Sequence, residues 1–114
     1  MGVHVLYLVK YENDQKAAMI ERPHMRDRAA VHQQAIADFG GRPIAQYGSF
    51  GEYDMVYIYE MPDMAALAAN LHMTDSLGLC KYSKAIPLLS NDDFVRSLEI
   101  AATTQTNYSA ADAE

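Results

Sequence analysis

Residues 4–11, "HVLYLVKY", carry apolar side chains at both odd and even positions, are rich in β-branched and aromatic residues, and stop at the polar "END". They predict a first strand that is apolar on both faces. From Asp14 the pattern turns helical in "DQKAAMIERPHMRDRAAVHQQAIADFGG". Pro23 interrupts it, and a helix tolerates proline only in its first turn or at a kink, so a short helical turn followed by a longer helix is expected. In the second segment Met25, Ala29, His32, Ile36 and Phe39 recur at three- and four-residue spacing and form one apolar stripe. Gly40 and Gly41 end it.

"RPIAQYGSF", residues 42–50, predicts a second strand, and Gly51 with Glu52 a short link to a third, so these two strands should form an antiparallel hairpin. In the third strand Tyr53, Met55, Tyr57 and Tyr59 share one face, and Asp54, Val56, Ile58 and Glu60 share the other. Pro62 and Asp63 mark the next boundary, with Asp63 placed to cap a helix over "MAALAANLHM". "GLCKYSKAIPLL" predicts a fourth strand that Pro87 confines to an edge or to its end. Ser90 and Asp93 spell S-x-x-D before "FVRSLEIAA", an approximate capping box for a last helix. Residues 102–114 show no apolar period and are expected to form a loose tail behind a single domain over residues 1–101. There is no internal repeat.

Strand, helix, strand, strand, helix, strand is the ferredoxin-like, split βαβ plan of an α+β fold, here with an extra C-terminal helix. Its two helices cover one face of a four-stranded antiparallel sheet. Every strand in this chain is apolar on both faces, so a lone subunit would leave a broad greasy surface in water. A second copy, sheet against sheet, is the economical cover, and a homodimer or a higher homo-oligomer is expected.

The residues that carry a family resemblance are "GGRPIAQYGSF" followed by "GEYDMVYIYEMPD". They resemble the signature of the GYD domain family, in which a Gly, a Tyr and an Asp mark the hairpin and Pro-Asp opens the next helix; here Glu52 stands between Gly51 and Tyr53. The likeness covers roughly residues 4 to 100. It implies a dimeric α+β barrel, and its wider superfamily includes cofactor-free monooxygenases, lactone isomerases, haem enzymes and ligand-sensing domains. It brings no established catalytic residues with it. The long connection "ENDQKAAMIERPHMRDR" departs from the shorter one expected of the family.

Composition narrows the partners. Of 114 residues, 50% are hydrophobic and 21% charged, the balance of an ordinary soluble domain, and the formal charge is -6. That charge argues against nucleic acid and against anionic membranes, which need clustered Lys and Arg. Cys80 is the one cysteine, so no intrachain disulfide forms. The first apolar run is too short, and too interrupted by Lys10, for a signal or a membrane span, and Leu6 stands where a myristoylation motif needs a hydroxyl. A cytoplasmic location is expected.

Asp54, expected in a strand beside apolar surface, would be a general base if it lacked donors; otherwise it caps backbone amides and holds the hairpin together. His32 lies within the helical stripe and should face the sheet, as a base or as a satisfied core histidine. His72 on the next helix is placed to close the same pocket, whereas His24 after Pro23 should be exposed. Tyr47 is the candidate to steady an oxyanion, and Tyr7 and Tyr53 to line a binding site for a flat apolar ligand. The Tyr57 side is expected at the dimer seam, with the pocket on whichever face receives His32. Arg22, Arg26 and Arg28 either draw an anionic substrate or form a solvated face.

No histidine spacing, H-E-x-x-H or cysteine pair points to a metal, and Cys80 is most simply a small buried hydrophobe. There is no serine elbow, phosphate-cradling loop or dinucleotide fingerprint, so no cofactor is expected. Two functions remain open. One is a small homodimeric enzyme acting on an apolar or aromatic molecule by proton transfer, as an isomerase, lyase or cofactor-free monooxygenase. The other is a non-catalytic ligand-binding or protein-assembly module that uses the barrel to dimerise. An enclosed cavity reached by at least two of Asp54, His32, His72 and Tyr47 would favour the enzyme.

Overall fold

The first strand sets the frame for everything else. In the computed structural model, which describes residues 2–109, β1 (Val3–Tyr11) buries Val5, Tyr7, Val9 and Tyr11 and leaves the residues between them half-covered. It is followed by α1 (Asn13–Glu21), a one-turn 3-10 helix (Pro23–Met25), α2 (Arg28–Asp38), β2 (Arg42–Gly48), β3 (Met55–Met61), α3 (Met64–Ser76), β4 (Cys80–Leu88) and α4 (Asn91–Thr103). The four strands form one antiparallel sheet in the order β2-β3-β1-β4. This is the ferredoxin-like α+β plan with an added C-terminal helix.

Local chemistry explains the boundaries. Pro23 has no N–H to give a continuing helix, so the chain restarts there. The Arg26 guanidinium folds back and donates to the last carbonyls of α1, Nε to Met19 at 3.0 Å and an Nη to Ile20 at 2.8 Å. Asp27, Asp63 and Ser90 each accept from a first-turn amide, of Ala30, Ala66 and Asp93 respectively, and so start α2, α3 and α4. Gly40 ends α2 at φ +80°, and Gly41 then passes so close to Met61, Ile36 and the Glu60 carbonyl that a Cβ there would collide with all three.

The core is built from one face of the sheet. Cross-strand pairs Val5↔Tyr59 and Tyr7↔Tyr57 sit under Ile36 of α2 and Leu67 of α3, with Met61, Val9 and Tyr11 completing the cluster. The other face carries Leu6↔Ile58, Leu8↔Val56 and Leu6↔Ile86, apolar pairs that only half-bury one another. Arg42 and His4 both meet Glu60 at one end of that face. Every residue of α4 is exposed.

The hairpin link differs from expectation. β3 begins at Met55, so Tyr53 and Asp54 belong to the loop over residues 49–54 and do not share the strand's two faces. The loop is longer because Asp54 leaves the ladder to bond elsewhere: its N–H donates to the Val9 carbonyl at 2.7 Å, and its carbonyl accepts from Ser49 N–H at 2.7 Å. The last helix runs to Thr103, residues 104–109 have no regular structure, and residues 110–114 of the expected tail lie outside the described residues. Among the described residues no helix is long and apolar enough to cross a membrane.

Candidate functional site

The stripe on α2 faces the sheet as its spacing requires: Ile36 is buried, and Ala29, His32 and Phe39 are half-buried. His32 lands flat on Tyr57, with ring centroids 3.7 Å apart and planes 18° from parallel. Tyr59 meets its edge at 5.3 Å and Tyr7 lies at 5.9 Å. This corrects the expected seam. Tyr57 shares a face with Val5, Tyr7 and Tyr59 by strand parity, so the tyrosine side is the helix-covered side. The opposite face carries Leu6, Leu8, Val56 and Ile58, all half-buried.

Where the sheet, α2 and α3 do not close completely, a cavity of about 120 Å³ remains. Tyr7, Tyr11 and Tyr57 line it from the sheet, His32 and Arg28 from α2, Thr74 from α3 and Cys80 from β4. Burial lowers the His32 pKa from 6.5 to about 4, so the imidazole is neutral at physiological pH. Burial also pushes the Tyr7 phenol up to about 12, opposed by the nearby Ser83 hydroxyl. The Tyr7 hydroxyl makes no hydrogen bond of acceptable geometry among the described residues, although Tyr7 is only 2% exposed. Tyr57 is raised by burial and by its contact with Tyr11, the two hydroxyls lying 3.4 Å apart. The Cys80 thiol is raised by burial and by the charge of Asp75, which keeps it a thiol and not a thiolate nucleophile. Arg28 is the one charged side chain among the described lining residues, its guanidinium carbon 6.0 Å from the Tyr11 ring centroid.

Of the six residues singled out from sequence, Tyr7 and His32 come together here. Asp54 does not. Its carboxylate accepts from Tyr11 N–H at 3.0 Å and Lys16 Nζ at 2.7 Å, with Lys10 Nζ at 3.5 Å. Burial alone would raise its pKa, but those hydrogen bonds and the two lysine charges hold it below the ordinary 3.8, the reverse of what a general base needs. Tyr47 is 65% exposed on β2 opposite Val56, which places it on the other face of the sheet. Tyr53 stays in the loop, edge-on to Tyr82 at 5.6 Å. His72 is exposed and turned away from the inner side of α3, where Leu67, Asn70 and Thr74 lie.

Thr74 is a polar lining residue that sequence reasoning missed, and periodicity could have found it. Positions 67, 70, 71 and 74 follow helical spacing and select Thr74 while excluding His72. Tyr11 is the last odd position of β1, in phase with Tyr7. Of the three arginines around Pro23, only Arg28 reaches the cavity, since Arg26 is engaged in closing α1. A family model described as GYD domain matches residues 6–98. No curated protein matches the chain.

Proposed function

Since the chain belongs to the GYD domain family, we propose that it acts as a homodimeric small-molecule binding module, each subunit holding one compact planar ligand between its sheet and helices. The observation that carries this reading is Tyr7 in the wall of an aromatic cavity, its buried hydroxyl without a partner of acceptable geometry among the described residues. Such a group costs about 1–3 kcal/mol if left unpaired, so a ligand that bonds it recovers that energy. The volume suits a single ring, because a cavity of roughly 150 Å³ takes benzene. Arg28 favours an acidic substituent on that ring, and the tyrosines and the neutral imidazole supply flat faces to stack on. Pairing of subunits is supported by the single-faced core, which leaves Leu6, Leu8, Val56 and Ile58 for a second copy to cover.

A second reading, proton-transfer catalysis, is favoured by the neutral His32 at the cavity wall. It ranks lower because the other two candidates, Asp54 and Tyr47, stand outside the cavity, and a histidine held near pKa 4 is a weak base at neutral pH.

The test is an NMR titration with benzoate and with uncharged benzamide, followed at the His32 ring. Benzoate should give saturable shifts. Tyr7→Phe should weaken binding roughly fivefold, the worth of one hydrogen bond, and Arg28→Gln should remove the preference for benzoate. No shift at His32 with either compound would overturn the binding reading.

A further inference from the structure

Helix α4 is amphipathic, yet among the described residues every position of it is exposed. At 100° per residue Phe94, Val95, Leu98, Ala101 and Ala102 fall in one sector, while Asp92, Arg96, Glu99 and Thr103 fall opposite. The apolar sector is nevertheless in water: Phe94 is 52% and Leu98 57% exposed. The chain is correspondingly drawn out, with extents of 60 × 35 × 23 Å and a radius of gyration of 18.2 Å, where a compact domain of about 100 residues has about 13 Å. Isolated helices shorter than about 12–15 residues are marginal in water, so a 13-residue α4 needs a surface to hold it.

We propose that α4 is an exchanged arm, which packs its Phe94 and Leu98 side on a second copy of this chain and receives that copy's α4 in return. The inference rests on the reading that two copies pair through their open sheet faces. Three observations select a second copy as the occupant. The arm continues that face: Leu88 is the last residue of the edge strand β4, in register with His4 on the open side, and only Leu89 and Ser90 separate it from α4. Ser90 is extended (φ -64°, ψ 158°), and with so short a link α4 stands off its own sheet.

The areas also agree. Four strands of about seven residues give a face of roughly 19 by 23 Å, about 440 Å² of footprint. A stable pair hides roughly 800 Å² of accessible surface on each partner, more than a flat footprint of that size presents by itself, so a further strip of contact strengthens the seam. The arm adds a strip roughly 20 Å long and 10 Å wide, about 200 Å², and brings the seam closer to that requirement. In a two-fold pair the contact is made twice, which makes the exchange reciprocal.

The experiment combines sedimentation equilibrium with amide hydrogen exchange on the full chain across a dilution series. The wild-type chain should pair, with α4 amides protected in the pair and losing protection as dilution separates it. The double variant Phe94→Ser, Leu98→Ser should raise the dissociation constant at least tenfold. Ile100→Ser, on the outward side of the same helix, should change it less than twofold, which separates lost packing from lost helix propensity. A wild-type pair that the double variant leaves as tight, with α4 unprotected in it, overturns the exchange and leaves the sheet pairing standing. A wild-type chain that stays monomeric overturns both.

Discussion

His32 shows how one side chain's surroundings decide its chemistry. Its imidazole is stacked on Tyr57 and edged by Tyr59, so protonation would place a cation among buried rings and away from water. The free side chain titrates near 6.5 and the folded one near 4. Between these values the unfolded chain takes up a proton that the folded chain refuses. The stability due to the neutral ring is therefore complete above about pH 6.5, declines as the pH falls, and is lost once the pH is below about 4. The loss should be about 2 kcal/mol after discounting for residual contact with water. Urea unfolding of wild type and His32→Gln at pH 7, 5.5 and 4.5 measures it: the wild-type slope should vanish in the variant, and equal slopes would refute the assignment.

At the scale of elements, the loop over residues 49–54 is where charge takes over from hydrophobic pattern. Asp54 joins three elements at once, through Tyr11 N–H on β1, Lys16 on α1 and its own backbone next to β3. Lys10 Nζ reinforces the loop by donating to the Gly51 carbonyl at 2.7 Å. Asp54→Asn keeps the shape and removes the charge, so it should cost about 1.5–3 kcal/mol, the value of a hydrogen bond to a charged group. Because the folded carboxyl is depressed, that stability is present above pH 3.8 and is lost as the pH falls through the folded value. Thermal melts at neutral pH check the first part; an Asn variant as stable as wild type would show the carboxylate to be idle.

This loop also marks the limit of what the residues alone reveal. Helix α2 could be placed from its stripe and α3 and α4 from their caps, because those signals lie within a few residues of one another. The ties of Asp54 to Tyr11 and Lys16 span 43 and 38 residues, and no local pattern reports them. The same holds for the cavity: His32 and Tyr7 were legible as inward-facing, but that α2 would lay His32 on Tyr57 depends on which face of the sheet the helices choose. Both faces of β3 are apolar, so its composition could not decide.

For the whole molecule, that choice leaves the face of Leu6, Leu8, Val56 and Ile58 as the open apolar surface, the one on which the proposed second copy would pack. Ile58 sits at its middle, paired with Leu6 on one side and Ala45 on the other. In a lone subunit Ile58→Lys is cheap, since the long side chain lies over its neighbours and puts its ammonium in water. In a two-fold pair the same change places two ammonium groups in the centre of the seam, each facing an apolar partner. An uncompensated buried charge costs about 3–5 kcal/mol. Even with partial escape to the rim, the variant should pair at least 100-fold more weakly, at about 1.4 kcal/mol per factor of ten. Sedimentation velocity at micromolar concentration should show the wild type as a pair and Ile58→Lys as a folded monomer. Pairing also links to folding, so the wild-type melting temperature should rise with protein concentration while that of the variant stays constant. A variant that still sediments as a pair would move the seam off this face, and with it the surface from which α4 sets out.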